Sequence, residues 1–481
     1  MNIVTLLEEL VNTLLSAEEN FYQNPKDFYT LEKTAKSTTE AFTAGFLTNV
    51  LNSMNQKIYE DGWRKDRYSV QRNDQRTLIS SVGDITFEST YYRSRENGKH
   101  HYLVEEILGL DAHERFTEEA EVLMLTEALK TSYSEATKVL PSKQKISKTT
   151  VMNKVHGIAD EMPAQEKKQK KSCQYLFIEA DEDHVAQQHG KWLPKEENKS
   201  FMSKLAYVYE YKQESPSCKV RKELVNTFYF GGVYAGSKGT EKFWNNVGNF
   251  IHETYEEDEI KRIFISGDGA GWIKSGANYL NKALFCTDKF HLMKYINAAA
   301  NQMLDEGSLV KEQLYRMLYK RDKQGIKEYT QRMMDSAKNP KAIQDLQTFV
   351  LGNWSAVMRT YHNKVVTGCS AESHVSHILS DRLSSRPMGW SQTGADRMSK
   401  LRCYEKNYGR EKIIELVQYS RTQRKLTRTG TDNIEQAQVS LREIKADHYN
   451  QARSYIDRIQ ASIPNGTVRK IASIREQIKL I

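Results

Sequence analysis

The chain has 481 residues, of which 27% are charged and 39% hydrophobic, with a net charge of +8 and a mean hydropathy of −0.68. That length suits about three domains at ~150 residues each, and the lack of any run of ~18 apolar residues excludes a helical membrane span. Five cysteines (Cys173, Cys218, Cys286, Cys369 and Cys403) form no CxxC pair, which excludes a disulfide framework or zinc ribbon and suits a reducing cytoplasm.

The opening "MNIVTLLEELVNTLL" has no basic n-region and is interrupted by Glu8 and Glu9, so it reads as an amphipathic helix rather than a secretory signal. Residues 1–66 carry Val4, Leu7, Val11 and Leu14 at helical spacing and form an N-terminal helical segment suited to self-association. In residues 67–115, two β-rich runs flank Gly83–Asp84 in "RTLISSVGDITFESTYYRS", which predicts a hairpin, and Asn97–Gly98 marks a second tight turn. Residues 116–159 read as three short helices. Thr117 caps the first, Pro141 closes the second, and Ser147 caps the third, whose Val151, Val155 and Ile158 share one face. The opposite face shows Lys148, Thr149, Asn153 and Lys154. Such a trio has the pattern of a helix-turn-helix whose last helix enters a DNA major groove, although short helical trios also serve as plain structural units. Residues 160–173, with Pro163 and a lysine run, form a linker.

Beyond the linker the pattern becomes strand-rich. In residues 174–308 the runs "QYLFIEAD", "KLAYVYEYK" and "ELVNTFYFGGVY" are followed by a helix, the strand "RIFISGDG", a helix, the strand "ALFCTDKF" and another helix. That order predicts a ribonuclease H-like α/β core within a mixed α+β protein. Residues 309–366 are helical and highly charged and read as an insertion. Residues 367–400 return to the core with a last helix, and residues 401–481 form a basic helical C-terminal region. From Arg382 onward there are 20 Lys and Arg against 10 Asp and Glu, a bias that favours a polyanionic partner as much as a solvated helical surface.

The chemistry is expected where strands end. "LFIEADEDHVAQQHGKW" runs from an apolar strand into Asp181, Glu182 and Asp183. Crowded carboxylates repel one another, so either solvent or a bound cation must offset the cost. Asp268 closes the strand in "RIFISGDGAGWIK", and ligand sites of open α/β sheets form beyond the carboxyl ends of strands. Aspartate is common at strand-end turns, so neither residue means much alone. Both falling on strands expected to be adjacent carries more weight. Glu372, opening a helix that Ser370 is expected to cap, is the candidate third carboxylate. His374 and His377, which follow it, read as polar helix-face residues rather than metal ligands.

The blocks "IEADEDHVAQQHGKW", "ISGDGAGWIK", "CTDKFHLMKYI" and "GCSAESHVSHILSDRLSSRPMGWS", with "RTLISSVGDITFESTYYR" and the helical trio, resemble bacterial insertion-sequence transposases of the ISLre type. The resemblance covers most of the chain. It implies a DDE-type DNA transposase in which Asp181, Asp268 and Glu372 bind two Mg²⁺ or Mn²⁺ ions, with Asp183 the rival for the first position. It implies cleavage at terminal inverted repeats and joining of the freed 3′-hydroxyl to target DNA, by a homodimer or larger synaptic assembly in the bacterial cytoplasm, with no membrane partner. Cys286 and His291 are similar to the Cys/His signature of Mutator-like transposases, although the Cys-x4-His spacing is longer than is usual there, and Asp288 between them is a further candidate to line the site. Arg386, Trp390 and Trp272 are candidates to clamp or stack on DNA, or else to pack in the core. A ribonuclease H-like nuclease or resolvase without strand transfer, and an inactive domesticated DNA-binding regulator, are the alternatives.

Overall fold

The structure, a computed structural model, describes residues 3–161, 163, 169–188, 200–215, 218–303, 306–337, 339–366, 368–386, 388–426 and 441. Part of the lysine-rich linker, residues 190–192 and the basic stretch from 427 onward, apart from Leu441, lie outside the described residues. The chain divides into two compact units, one formed by residues 1–159 with 414–481 and the other by residues 160–413.

In the first unit a helix over Ile3–Gln23 packs on a longer one over Phe28–Glu60. Strands β1 (Tyr68–Ser80) and β2 (Gly83–Ser94) form an antiparallel hairpin to which β3 (His100–Tyr102) adds along β2. The turn falls earlier than the glycine suggested. Ser80 pairs with Gly83, so Ser81–Val82 make the loop and Gly83–Asp84 already belong to β2. The Ser80 hydroxyl tightens it, donating to the Gly83 carbonyl and accepting from the Val82 N–H. Gly98 does sit in a turn, at φ +70°. Helices over Glu118–Ala128, Tyr133–Ala136 and Lys148–His156 follow, with the Thr117 and Ser147 hydroxyls accepting from the N–H groups of Ala120 and Thr150. Ala120, Met124, Leu125, Val151 and Val155 recur at helical spacing and are all buried, which is why short helices hold together here.

The second unit is built on a mixed sheet. Its strands are β4 (Tyr175–Ala186), β5 (Ser200–Tyr209), β8 (Phe228–Gly232), β9 (Arg262–Gly267) and β10 (Ala283–Thr287), in the order β10-β9-β4-β5-β8. Between β5 and β8 the chain makes a separate hairpin of β6 (Tyr211–Ser215) and β7 (Cys218–Val225). The run "ELVNTFYFGGVY" is therefore two strands rather than one. Asn226, at φ +54°, breaks it, a conformation that asparagine tolerates better than most residues. β4, β5 and β8 pair antiparallel, whereas β9 and β10 run parallel to β4. Parallel neighbours need crossovers. The helices over Gly236–Thr254 and Gly271–Tyr279 supply them, the first burying Phe243, Trp244, Val247 and Ile251 along one stripe against Leu176, Ile178, Ala206 and Ile265.

A helical block then forms its own core. The helix over Lys289–Ala300, which the sequence groups with the α/β core of residues 174–308, packs Leu292 and Ile296 with Leu314, Ile343 and Val350 of the helices that follow. Helices over Ala371–Val375 and Asp381–Leu383, joined by a π-turn, lie along β4, and one over Gln392–Tyr408 packs on β8. Among the described residues no helix is long and apolar enough to cross a membrane.

Gly276 gives a test of the crossover packing. Gly→Ala inside a helix ordinarily gains about 1 kcal/mol, but a Cβ at Gly276 would stand 2.6 Å from the Trp244 ring. Overpacking of that kind costs ~1–3 kcal/mol, so Gly276→Ala should lower the urea midpoint. A raised midpoint would refute the Trp244 contact.

Candidate active site

The carboxylates of the opening motif lie inside a strand rather than at its end. β4 runs on to Ala186 because β5 continues to pair with it, Asp181 opposite Leu205 and Asp183 opposite Ser203. Its parallel pairing with β9 stops at Glu179–Ser266. β9 ends there, and Asp268 follows directly, its carboxylate accepting the Ala270 N–H at 2.8 Å just before the next helix. Gly267 permits the close approach, since a Cβ there would meet the Ala180 carbonyl at 2.8 Å. Asp181 and Asp268, 87 residues apart in sequence, thereby come close enough for Asp181 to feel the charge of Asp268.

Their electrostatics are strained. Burial, then the charges of Asp268 and Glu182, pushes Asp181 up to about 6, even though the Glu182 N–H donates to it and His291 favours its ionised form. Glu182 points to the opposite strand face, where the Trp272 indole N–H donates to it at 2.6 Å. It too is raised, by burial and by Asp268. His291 is raised by its contact with Asp288 at 3.1 Å and by the charges of Asp268 and Asp181. Asp288 caps the helix of His291 through the Phe290 N–H, and its own N–H donates to the Gly267 carbonyl, tying the ends of β9 and β10 together.

The other acidic residues of β4 are engaged. Glu179, 1% exposed, accepts from the Tyr207 and Tyr209 hydroxyls, the Lys212 ammonium and the Ser370 hydroxyl. Ser370 therefore does not cap the helix of Glu372 as expected, because the buried carboxylate takes its hydroxyl. Asp183 accepts from the Ser380 and Ser384 hydroxyls at 3.0 and 2.8 Å, which binds it to that helical segment and not to Asp268. Asp181 lies between Glu179 and Asp183 on the same strand face. Glu372 is exposed in the first turn of its helix. Among the described residues no group of three or more His, Cys, Asp or Glu is assembled to hold a metal ion. The fold thus brings Asp181 and Asp268 together and leaves the expected third ligand outside the pair.

Several other expectations are corrected. Lys154 is held by Glu114 at 2.8 Å and Glu121 at 3.0 Å, so it does not face outward with the exposed Lys148, Thr149 and Asn153. Trp390 is 5% exposed beneath the Arg382 guanidinium, and its backbone bridges Ala186 and Gln188; only Arg386 of that group is exposed. Trp272 is buried against Glu182. Cys286 and His291 separate: the thiol is buried with Phe264 and Val366, which pushes it up to about 11, whereas His291 turns toward the carboxylates. His374 packs its ring against Tyr207 and bonds the Tyr229 hydroxyl, and burial lowers it. Sequence reading underrated Glu182, Asp288 and His291. The available signal was an aspartate at a strand end followed three residues later by a histidine in a helix's first turn.

A model of the uncharacterised protein family UPF0236 matches residues 22–419. A UPF0236 protein of Caldanaerobacter subterraneus subsp. tengcongensis, whose name joins eleven locus names, is 33% identical over 437 residues, covering 88% of each chain. A second from the same organism is 33% identical over 383 residues, 79% of this chain and 74% of the relative. Among solved structures, the Drosophila P element transposase strand transfer complex aligns over 76% of this chain and 92% of that one, at 12% identity and a TM-score of 0.22, too low to establish a shared fold.

Asp181 should titrate near pH 6, observable as the carboxyl ¹³C shift of labelled aspartate. Removing the neighbouring charge favours ionisation, so Asp268→Asn should move that midpoint to lower pH. It should remain above the ordinary carboxylate value, because burial is the larger cause. An unmoved midpoint would show that the two carboxylates do not interact.

Proposed function

The chain belongs to the uncharacterised protein family UPF0236, and we propose that it is a DDE-type DNA transposase with a ribonuclease H-like core. The observation that carries the reading is the close approach of Asp181, on the central strand β4, and Asp268, at the end of its parallel neighbour β9. The sheet order, with three antiparallel strands followed by two parallel ones beyond the first, supports the proposed core. One relative is carried at eleven loci of a single genome. A mobile element would leave such copies, and this supports the reading independently of the site.

The donor set suits a hard cation. Mg²⁺ typically takes one or two carboxylates, with water and phosphate completing its shell, and Asp181, raised by burial and by the charge of Asp268, would be stabilised in its ionised form by such positive charge. Asp181 and Asp268 would hold one ion; a second needs Glu372 to join them. When bound, such ions lower the pKa of an attacking water or 3′-hydroxyl and neutralise charge gathering on the phosphate. His291 has Nδ1 on Asp288, which leaves Nε2 to donate to a phosphate oxygen. Glu182, fixed by Trp272 on the opposite face of β4, adds to the negative potential at Asp181 that a cation would offset. Lys148, Thr149 and Asn153 on the last helix of the trio are the proposed readers of the terminal inverted repeats, and a homodimer or larger assembly would hold two ends.

The test uses purified protein, a labelled duplex carrying the element's terminal inverted repeat, and a plasmid target, with Mg²⁺ or EDTA. Nicking and joining should need the metal and be lost in Asp268→Ala, Asp181→Ala and Glu372→Ala. Binding without nicking would make the protein a regulator, and nicking without joining a nuclease or resolvase. Full strand transfer in all three variants would sink the assignment of the carboxylates.

A further inference from the structure

The second unit contains a cleft of about 640 Å³ that none of the foregoing uses, lined by Lys222, Lys289, Lys364 and His362 together with Lys212 and Tyr361. Its charge is mostly uncompensated. Lys212 is neutralised by Glu179 at 2.8 Å, but Lys222, Lys289 and Lys364 are exposed and make no ion pair among the described residues. Glu214 stands opposite Lys222 in the β6–β7 hairpin, yet the two do not pair. Pockets for small molecules are mostly apolar with a few polar groups. Here polar surface weighs as much as apolar and four lysines reach the lining, which suits a polyanion.

The cleft adjoins the carboxylates along the chain at two points. Lys289 follows Asp288, the partner of His291 beside Asp181 and Asp268. At the other side the lining includes Gly368 and Ser370, and Ser370 precedes Glu372 by two residues. We propose that this cleft binds the phosphodiester backbone of a DNA strand, with Lys222, Lys289 and Lys364 each meeting a phosphate and His362 and Tyr361 flanking the path. The proposal rests on the transposase reading for the identity of the strand, as it supplies a backbone track leading to the carboxylate pair. A cationic cleft also answers a physical difficulty of that reading, because a strand approaching two carboxylates is repelled unless positive charge lies beside its path.

Counterion release makes the proposal measurable: log Kobs falls with log[salt] with a slope of about −0.9 per phosphate neutralised on duplex DNA and about −0.7 on single strands. The probe is a fluorescent 30-mer of arbitrary sequence, duplex or single-stranded, bound to the full chain in EDTA so that no chemistry occurs. The triple variant Lys222→Gln, Lys289→Gln, Lys364→Gln should reduce the slope by about 2 to 3. A control with equal charge loss, Lys320→Gln, Lys327→Gln, Lys341→Gln, changes exposed lysines outside the cleft and should leave the slope near that of the wild type. Both variants should keep the wild-type thermal midpoint, since every lysine changed is exposed. An unchanged slope in the first triple, or equal reductions in both, overturns the proposal. DNA binding that loses this slope while no nicking is ever seen would leave the cleft in place and remove the transposase reading, so the two fail separately.

Discussion

Glu179 is the residue on which the arrangement around the site depends. A buried carboxylate is tolerated only when its oxygens are fully engaged. This one gathers Tyr207 and Tyr209 from β5, Lys212 from the β6–β7 hairpin and Ser370 from the entry to the helix of Glu372. Burial alone would favour its protonated form. Lys212 and the hydroxyls reverse that and hold it below the ordinary carboxylate value. One side chain therefore sets where the hairpin and the Glu372 helix meet the central strand, and it is also why Lys212 adds no free charge to the basic cleft.

Asp183 has a matching role further along β4, engaging Ser380 and Ser384. Glu179 and the Oδ1 of Asp183 pin a helical segment to the strand at both ends, and the residue midway between them on that face is Asp181. What distinguishes Asp181 is the absence of such an arrangement. Among the described residues its one hydrogen bond is from the next backbone N–H, and burial and the charges of Asp268 and Glu182 outweigh His291 in its surroundings. Neighbouring carboxylates of one strand thus differ in role by their partners rather than by their identity. A group left raised by burial and like charge, beside a second carboxylate, is the usual form of a functional rather than a structural acid.

On the opposite strand face the same rule operates through Glu182. Its register partner Lys204 is buried, bonded to Thr240 and placed over the Trp272 ring, while Trp272 donates to Glu182. Trp272 thus serves the site as a fixed part of its wall. Of the two readings open for Trp272 and Trp390, stacking on DNA or packing in the core, their burial favours packing. Free positive charge lies instead on exposed lysines of the hairpin, of the first turn after β10 and of the loop before residue 368.

Periodicity and local chemistry determined much from sequence alone: the apolar strands, the caps at Thr117 and Ser147, the amphipathic crossover helix, and Asp268 at the end of β9. These depend on neighbours within a few residues, so they can be read in a line of letters. The placement of β4's carboxylates inside the strand was not readable, because it depends on β5 continuing to pair after β9 stops. Nor was the break at Asn226, which turned one expected strand into two. The identity of each acid was decided only in three dimensions. Lys154 meets Glu114 and Glu121, Asp183 meets two serines, and Asp181 meets Asp268, at separations of 33 to 201 residues. Ionisation and exposure are set by what surrounds a side chain, and for these residues the surroundings come from distant parts of the chain.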